Sequence, residues 1–209
     1  MKVLRAQCLC CVLFISTLAT GQSTCFETCW TRFKEMGVDG LKGDMLSFEL
    51  ARRSETILQG LVGCQAPDFR VKTLDGKEYT LSSLRGKVVV LNFWFTTCEP
   101  CRYELPGLNR LVKEYANQGV HFLALARNTE DEVVQFLSRH SFDYGHAVDS
   151  DELRMKFCVL GGWPMSMVID RTGVLRFVKT GGPVPPNGDP LLPYLEIKPV
   201  LDKYILQKP

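Results

Sequence analysis

Val88-Val89-Val90-Leu91-Asn92-Phe93-Trp94-Phe95-Thr96-Thr97-Cys98-Glu99-Pro100-Cys101 is the stretch on which the fold turns. Its first seven residues are β-branched, apolar or aromatic apart from Asn92. A run of that kind reads as a strand buried on both faces, as in a parallel sheet. Beyond the cysteines, Leu105, Leu108, Leu111, Val112 and Tyr115 keep helical spacing, and Gly119 ends the helix. Val120 to Ala126 is a second buried strand. Strand, crossover helix and strand make a right-handed βαβ unit, with Cys98 and Cys101 where the first strand hands over to the helix.

That junction has a chemical meaning. The first turn of a helix carries unpaired N–H groups and the positive end of its dipole, which stabilise a thiolate. A thiolate, not a thiol, attacks a disulfide. The spacing lets the second sulfur reach back and release a mixed disulfide. Pro100 suits a helix start, where its missing N–H costs nothing. The placement therefore predicts Cys98 as the exposed attacking sulfur and Cys101 as the resolving one, buried a turn further in. Glu99 opposes thiolate formation at Cys98 and favours a reducing couple, or is a solvated surface residue. Two other readings of the pair are a structural disulfide and half of a zinc site, the latter drawing on Cys25, Cys29, Cys98 and Cys101.

Working outward, Phe69 to Thr73 and Lys77 to Leu81 flank Asp75-Gly76, a hairpin signal. Glu130 to Arg139 reads as a helix, Met165 to Ile169 and Val174 to Lys179 as strands, Gly181 to Pro193 as a loop, and Val200 to Leu206 as a closing helix. Upstream, Phe26, Cys29, Trp30 and Phe33 recur at helical spacing, and Gly37, Gly40 and Gly43 separate two helices. The expected organisation is a leader over 1–21, a helical appendage over 22–62, and an α/β domain over 63–209.

The leader rests on Lys2 and Arg5, the apolar run Cys8 to Leu18, and small residues at Ala19 and Gly21 before Gln22. Its removal takes two of the 25 basic residues and none of the 23 acidic ones, so the mature chain is formally neutral. A neutral chain has no basic field for nucleic acid. Hydrophobic residues at 45% and charged residues at 23% exclude disorder and a polytopic membrane protein. The expectation is an exported protein in a disulfide-permissive compartment, periplasmic or on the outer face of the membrane.

Ala66-Pro67-Asp68-Phe69, Leu74-Asp75-Gly76, Leu81, Leu84, Gly86-Lys87, Asn92-Phe93-Trp94, Cys98-x-Pro100-Cys101, Glu104-x-Pro106 and Trp163-Pro164 through Ile169-Asp170-x-x-Gly173 follow in order. In this the chain resembles the TlpA/ResA branch of exported thiol–disulfide oxidoreductases. The resemblance implies a thioredoxin-like fold, with a central mixed sheet flanked by helices and an N-terminal β-hairpin. It also implies that Pro164 is a cis-proline beside the active disulfide, which frees the Trp163 backbone to pair with a substrate. Glu104 matches the family's active-site glutamate, which would take and return the proton of Cys101. A solvated first-turn glutamate is the alternative. Asn92 stands where thioredoxins often carry a buried Asp, which favours Glu104 as the proton carrier.

Three positions depart from the family pattern. Thr97 replaces a frequent Trp before the first cysteine, Trp163 is bulkier than usual, and Met165 replaces a common Thr. Trp94 is retained, either to shield the disulfide or to fill the core. The resemblance implies protein thiols and disulfides as substrates, apocytochrome c among the candidates, and a membrane thiol-transfer partner as electron source. It implies no cofactor and no metal. An oxidase or isomerase uses the same pair. A thiol peroxidase would want a Pro/Thr/Arg arrangement that is not apparent around Cys98.

Cys25, Cys29, Cys64 and Cys158 allow three complete pairings. A staple from Cys25 or Cys29 to Cys64 would join the appendage to the domain, while Cys158 is either a redox partner or a small buried hydrophobe. His121, His140 and His146 show no metal-ligand spacing.

Overall fold

A computed structural model describes residues 24–35, 52–148, 150–159, 162–181 and 188–207. The expected leader and the glycine break at 37–43 lie outside the described residues.

The N-terminal helices are α1 (Thr24–Lys34) and α2 (52–59). The hairpin β1 (Arg70–Lys72) and β2 (Glu78–Thr80) pairs antiparallel across Asp75-Gly76, with Gly76 at φ 81°. Only glycine holds that conformation freely. Strand β3 (Val88–Trp94) follows, then α3 (Glu99–Tyr103), α4 (Leu105–Tyr115), β4 (Val120–Ala126) and α5 (Glu130–Leu137). The chain continues through β5 (Gly145–Ala147), α6 (Asp151–Lys156), β6 (Met165–Ile169), β7 (Leu175–Thr180) and α7 (Leu192–Ile205).

The five-stranded sheet runs β5-β4-β3-β6-β7. β3 is parallel to β4 and antiparallel to β6, so the sheet is mixed and β3 is its centre. All seven β3 residues are buried, as a strand covered on both faces requires. Their side chains alternate between two cores. Val89, Leu91 and Phe93 join Phe26, Leu58, Phe69 and Phe157 on one face. Val88, Val90 and Trp94 join Leu108, Leu111, Ile197 and Leu201 on the other.

The N-terminal helices are built into the first core. Phe26, Cys29, Leu58 and Leu61 are buried there, and Phe157 packs against Phe26, Phe69 and Phe93 with ring centroids 5.8–5.9 Å apart. Two disulfides fasten this arrangement, Cys25–Cys64 and Cys29–Cys158. All four remote cysteines are therefore paired, which removes the four-cysteine zinc reading and the reading of Cys158 as a small buried hydrophobe.

Several elements differ from the sequence reading. The closing helix starts at Leu192, not Val200. Pro193 lies at its first turn, where proline is tolerated. Pro199 gives up one helical hydrogen bond, and burial of Tyr194, Ile197 and Leu201 compensates. The short elements β5 and α6 were not anticipated; three and six residues are too few to show a period. Helix α5 ends at Leu137, two residues early.

Candidate active site

Cys98 is the N-cap of α3, with extended backbone at φ −75° and ψ 104°. Its Sγ accepts the Cys101 N–H at 3.1 Å and is bonded to Cys101 Sγ. One unpaired amide of the helix start is thus satisfied by the sulfur itself. The loop before it is held from the neighbouring strand end. Asn128 Oδ1 accepts the Thr96 N–H at 2.8 Å, and Glu132 accepts from Asn128 Nδ2 at 3.1 Å while capping α5 through Thr129. Asn128 carries no sequence motif; its position just after β4 is the only signal.

The helix after the cysteines is broken at Glu104. Pro106 has no N–H for the Arg102 carbonyl, so α3 closes and α4 restarts with Glu104 as the junction. The break leaves Glu104 half-buried. Burial pushes its carboxyl up to about 7, with Glu196 raising it further and Lys179 pulling it down. Glu104 lines a small cavity with Ser166, Lys179, Gly181 and Glu196. Ser166 in turn accepts from Asn92 Nδ2 at 3.0 Å.

The Trp163–Pro164 peptide bond is cis. Gly181 N–H donates to the Pro164 carbonyl at 2.6 Å. Trp163 stands edge-on to Phe95, 5.4 Å between centroids, and both pack against the core cluster that holds the two cysteines. Trp94 is fully buried among Phe136, Phe142 and His146. Its place is in the core beneath the disulfide. Glu99 is exposed and Pro100 half-buried on the first turn.

One expectation is corrected. Cys98 is not exposed: it keeps 3% of its surface, against 2% for Cys101. Closure of the disulfide turns its sulfur back over the first turn of α3, and the large Trp163 and Phe95 rings pack against the same cluster. Among the described residues no group of three or more His, Cys, Asp or Glu could hold a metal ion. A larger groove of about 990 Å³ runs between β1 and α6, and none of its lining residues belongs to the sulfur site.

The model of the AhpC/TSA family matches residues 62–178, which include both cysteines, Glu104 and Pro164. The chain belongs to the AhpC/TSA family. Within this family it is similar to the thioredoxin-like protein YneN of Bacillus subtilis (strain 168), 35% identical over 123 residues. That match covers 57% of this chain and 71% of YneN. It is also similar to the thiol-disulfide oxidoreductase ResA of Bacillus thuringiensis (strain Al Hakam), 37% identical over 113 residues. Here the match covers 54% of this chain and 65% of ResA, just under two thirds.

Solved structures agree on the fold of this AhpC/TSA member. A Chlorobium tepidum protein assigned as the thiol:disulfide interchange protein DsbE superposes with a TM-score of 0.60 at 25% identity, covering 69% of this chain and 97% of that one. A thiol:disulfide interchange protein of the thioredoxin family from Chlorobium tepidum TLS gives 0.55 at 27% identity, with 68% and 95% covered. The fold is thioredoxin-like, and the enzyme class is thiol–disulfide oxidoreductase of the ResA type.

Proposed function

We propose that this chain is an exported reductant of protein disulfides that works by dithiol–disulfide exchange at Cys98 and Cys101, with apocytochrome c a candidate substrate. The observation that carries the reading is the Cys98–Cys101 disulfide at the N-terminus of α3, with Glu104 one turn behind it. Export is supported by the leader pattern of residues 1–21 and by the two disulfides outside the active pair, Cys25–Cys64 and Cys29–Cys158, of a kind that persists in oxidising compartments. No helix among the described residues is long and apolar enough to cross a membrane.

The exchange balances as follows. The Cys98 thiolate attacks one sulfur of a substrate disulfide; the mixed disulfide forms and the other substrate sulfur leaves as a thiolate. Cys101 gives its proton to Glu104, and its sulfur attacks Cys98 Sγ. The Cys98–Cys101 bond forms, the mixed disulfide breaks, and two electrons have passed to the substrate. A dithiol partner in the membrane runs the same exchange backwards to restore the pair. The Trp163 backbone pairs with the extended substrate segment, the role the family resemblance implies.

Two features bear on direction. The Cys101 N–H on Cys98 Sγ stabilises a thiolate and so an oxidising couple, which favours an oxidase or isomerase. The exposed Glu99 beside it opposes that. The reduction potential of the pair decides, read by thiol trapping across a redox buffer series. A value near or below roughly −250 mV supports the reductant, and one near roughly −120 to −180 mV replaces it with an oxidase or isomerase.

A further inference from the structure

Glu104 is half-buried, and a route to solvent lets its carboxyl exchange a proton between the two halves of the cycle. On its own helix Leu105, Gly107 and Leu108 are buried. On the other side the carboxyl meets a cavity with room for about one water. Polar groups come to that cavity from three further elements: Ser166 from β6, Lys179 from β7 and Glu196 from α7. Lys179 Nζ and Glu196 Oε1 are paired at 3.0 Å, with 45% and 28% of their side chains exposed. The ion pair thus both lines the cavity and reaches solvent.

We propose that Lys179 and Glu196 are positioning residues of the exchange reaction: across this cavity they connect the Glu104 carboxyl to solvent and control its proton. The inference rests on the reading of Glu104 as proton carrier for Cys101. When the Cys101 S–H bond breaks, the O–H bond forms on Glu104. That proton leaves through the cavity to solvent; when the membrane dithiol re-reduces the pair, a proton enters by the same route onto Glu104 and passes to the released Cys101 sulfur, which leaves the carboxylate ready for the next cycle. No electrons move in this step.

The charges facing Glu104 act in opposite senses. Glu196 makes its ionisation harder and Lys179 makes it easier. Tyr144, buried near the start of β5, also feels the Glu104 charge, and its hydroxyl has no hydrogen-bond partner. Burial keeps Tyr144 protonated far above neutral pH, so it does not compete for the proton.

The test is the pH profile, between pH 5 and 9, of the resolving step alone, read as single-turnover release of the second substrate thiol from the preformed mixed disulfide on Cys98, for the wild type, Lys179→Met, Glu196→Gln and Glu104→Gln. Glu104→Gln is expected to erase the inflection. Lys179→Met should move it up and Glu196→Gln should move it down, each by about half a unit or more. Since the pair is partly exposed, both variants retain the fold, and a purely structural effect would not shift the inflection in opposite directions. If Glu104→Gln erases the inflection but neither pair variant moves it, or both move it the same way, the role of Lys179 and Glu196 fails while that of Glu104 stands. If the inflection survives Glu104→Gln, both fail.

Discussion

Gly181 lies directly against Pro164. Its N–H donates to the proline carbonyl at 2.6 Å, and a Cβ added to it would lie 2.3 Å from the proline Cδ. No side chain fits there, so this glycine lets the end of β7 run close beside the Trp163-Pro164 segment, where the proposed substrate segment pairs.

Gly181→Ala is therefore expected to push the Trp163-Pro164 segment outward. Overpacking of this kind costs about 1–3 kcal/mol. Denaturant unfolding should show that loss, and reduction of protein disulfides should fall more than reduction of small disulfides, because the groove and not the sulfur chemistry is altered. Equal loss on both substrates would contradict the account.

Glu104 gives a pH dependence of stability with a definite sign. Its folded carboxyl titrates near 7, above the ordinary 4.5. The native state therefore holds the proton more tightly than the unfolded chain, and stability falls as pH rises from about 4.5 to about 7. The shift corresponds to about 3 kcal/mol. Glu104→Gln should lose this decline, and urea unfolding at pH 4, 6 and 8 would show the variant gaining on the wild type as pH rises. Exchange at neutral pH should slow about 10²-fold in the same variant.

His121 acts at the acid end. Its ring packs at a tilt against Tyr79, 4.4 Å between centroids, and its buried Nε2 has no hydrogen-bond partner. Burial, with Lys87 adding to it, brings its titration down to about 4. The unfolded chain then binds a proton that the native state refuses, and stability is lost as pH falls from about 6.5 to about 4. His121→Phe keeps the ring packing and should unfold less readily at pH 4.5 relative to pH 7.5 than the wild type does. Thermal melts at the two pH values check this.

The two remote disulfides should differ in weight. Cys25 and Cys64 are 39 residues apart, Cys29 and Cys158 are 129 apart. Loop-closure entropy assigns about 4 and about 5 kcal/mol respectively. Replacing Cys29 and Cys158 together by Ser should cost more, and should also loosen the segment that leads to Pro164. Comparing the two double variants by denaturant unfolding tests the order.

The sheet centre, the crossover helix and the sulfur pair were legible because each has a strong local signal. Six apolar or aromatic positions out of seven mark β3, and a C-x-x-C at a strand end marks the pair. The resemblance singled out Glu104 and Pro164, but their surroundings were not legible. Glu104 owes its burial to the helix break at Pro106 and to groups from β6, β7 and α7, which lie 60 to 90 residues away. Gly181 shows as one of two glycines after a strand, with nothing to say which backbone it meets. The disulfide pairing of Cys29 with Cys158 depends on the packing of α1 against Phe157, a contact no spacing rule contains. The strand–helix junction marks Cys98 as the exposed attacking sulfur, whereas closure of the disulfide, with Sγ accepting the Cys101 N–H, leaves it buried.

The central claim is that Cys98 exchanges with protein disulfides and Cys101 releases them. The most direct measurement is trapping: the mature protein carrying Cys101→Ser, or Cys98→Ser, is incubated with oxidised protein substrate and resolved without reductant. The account predicts mixed disulfides on Cys98 in the Cys101→Ser variant and none in the Cys98→Ser variant. Absence of adducts in both, with function unchanged, would make the Cys98–Cys101 bridge a structural element and contradict it.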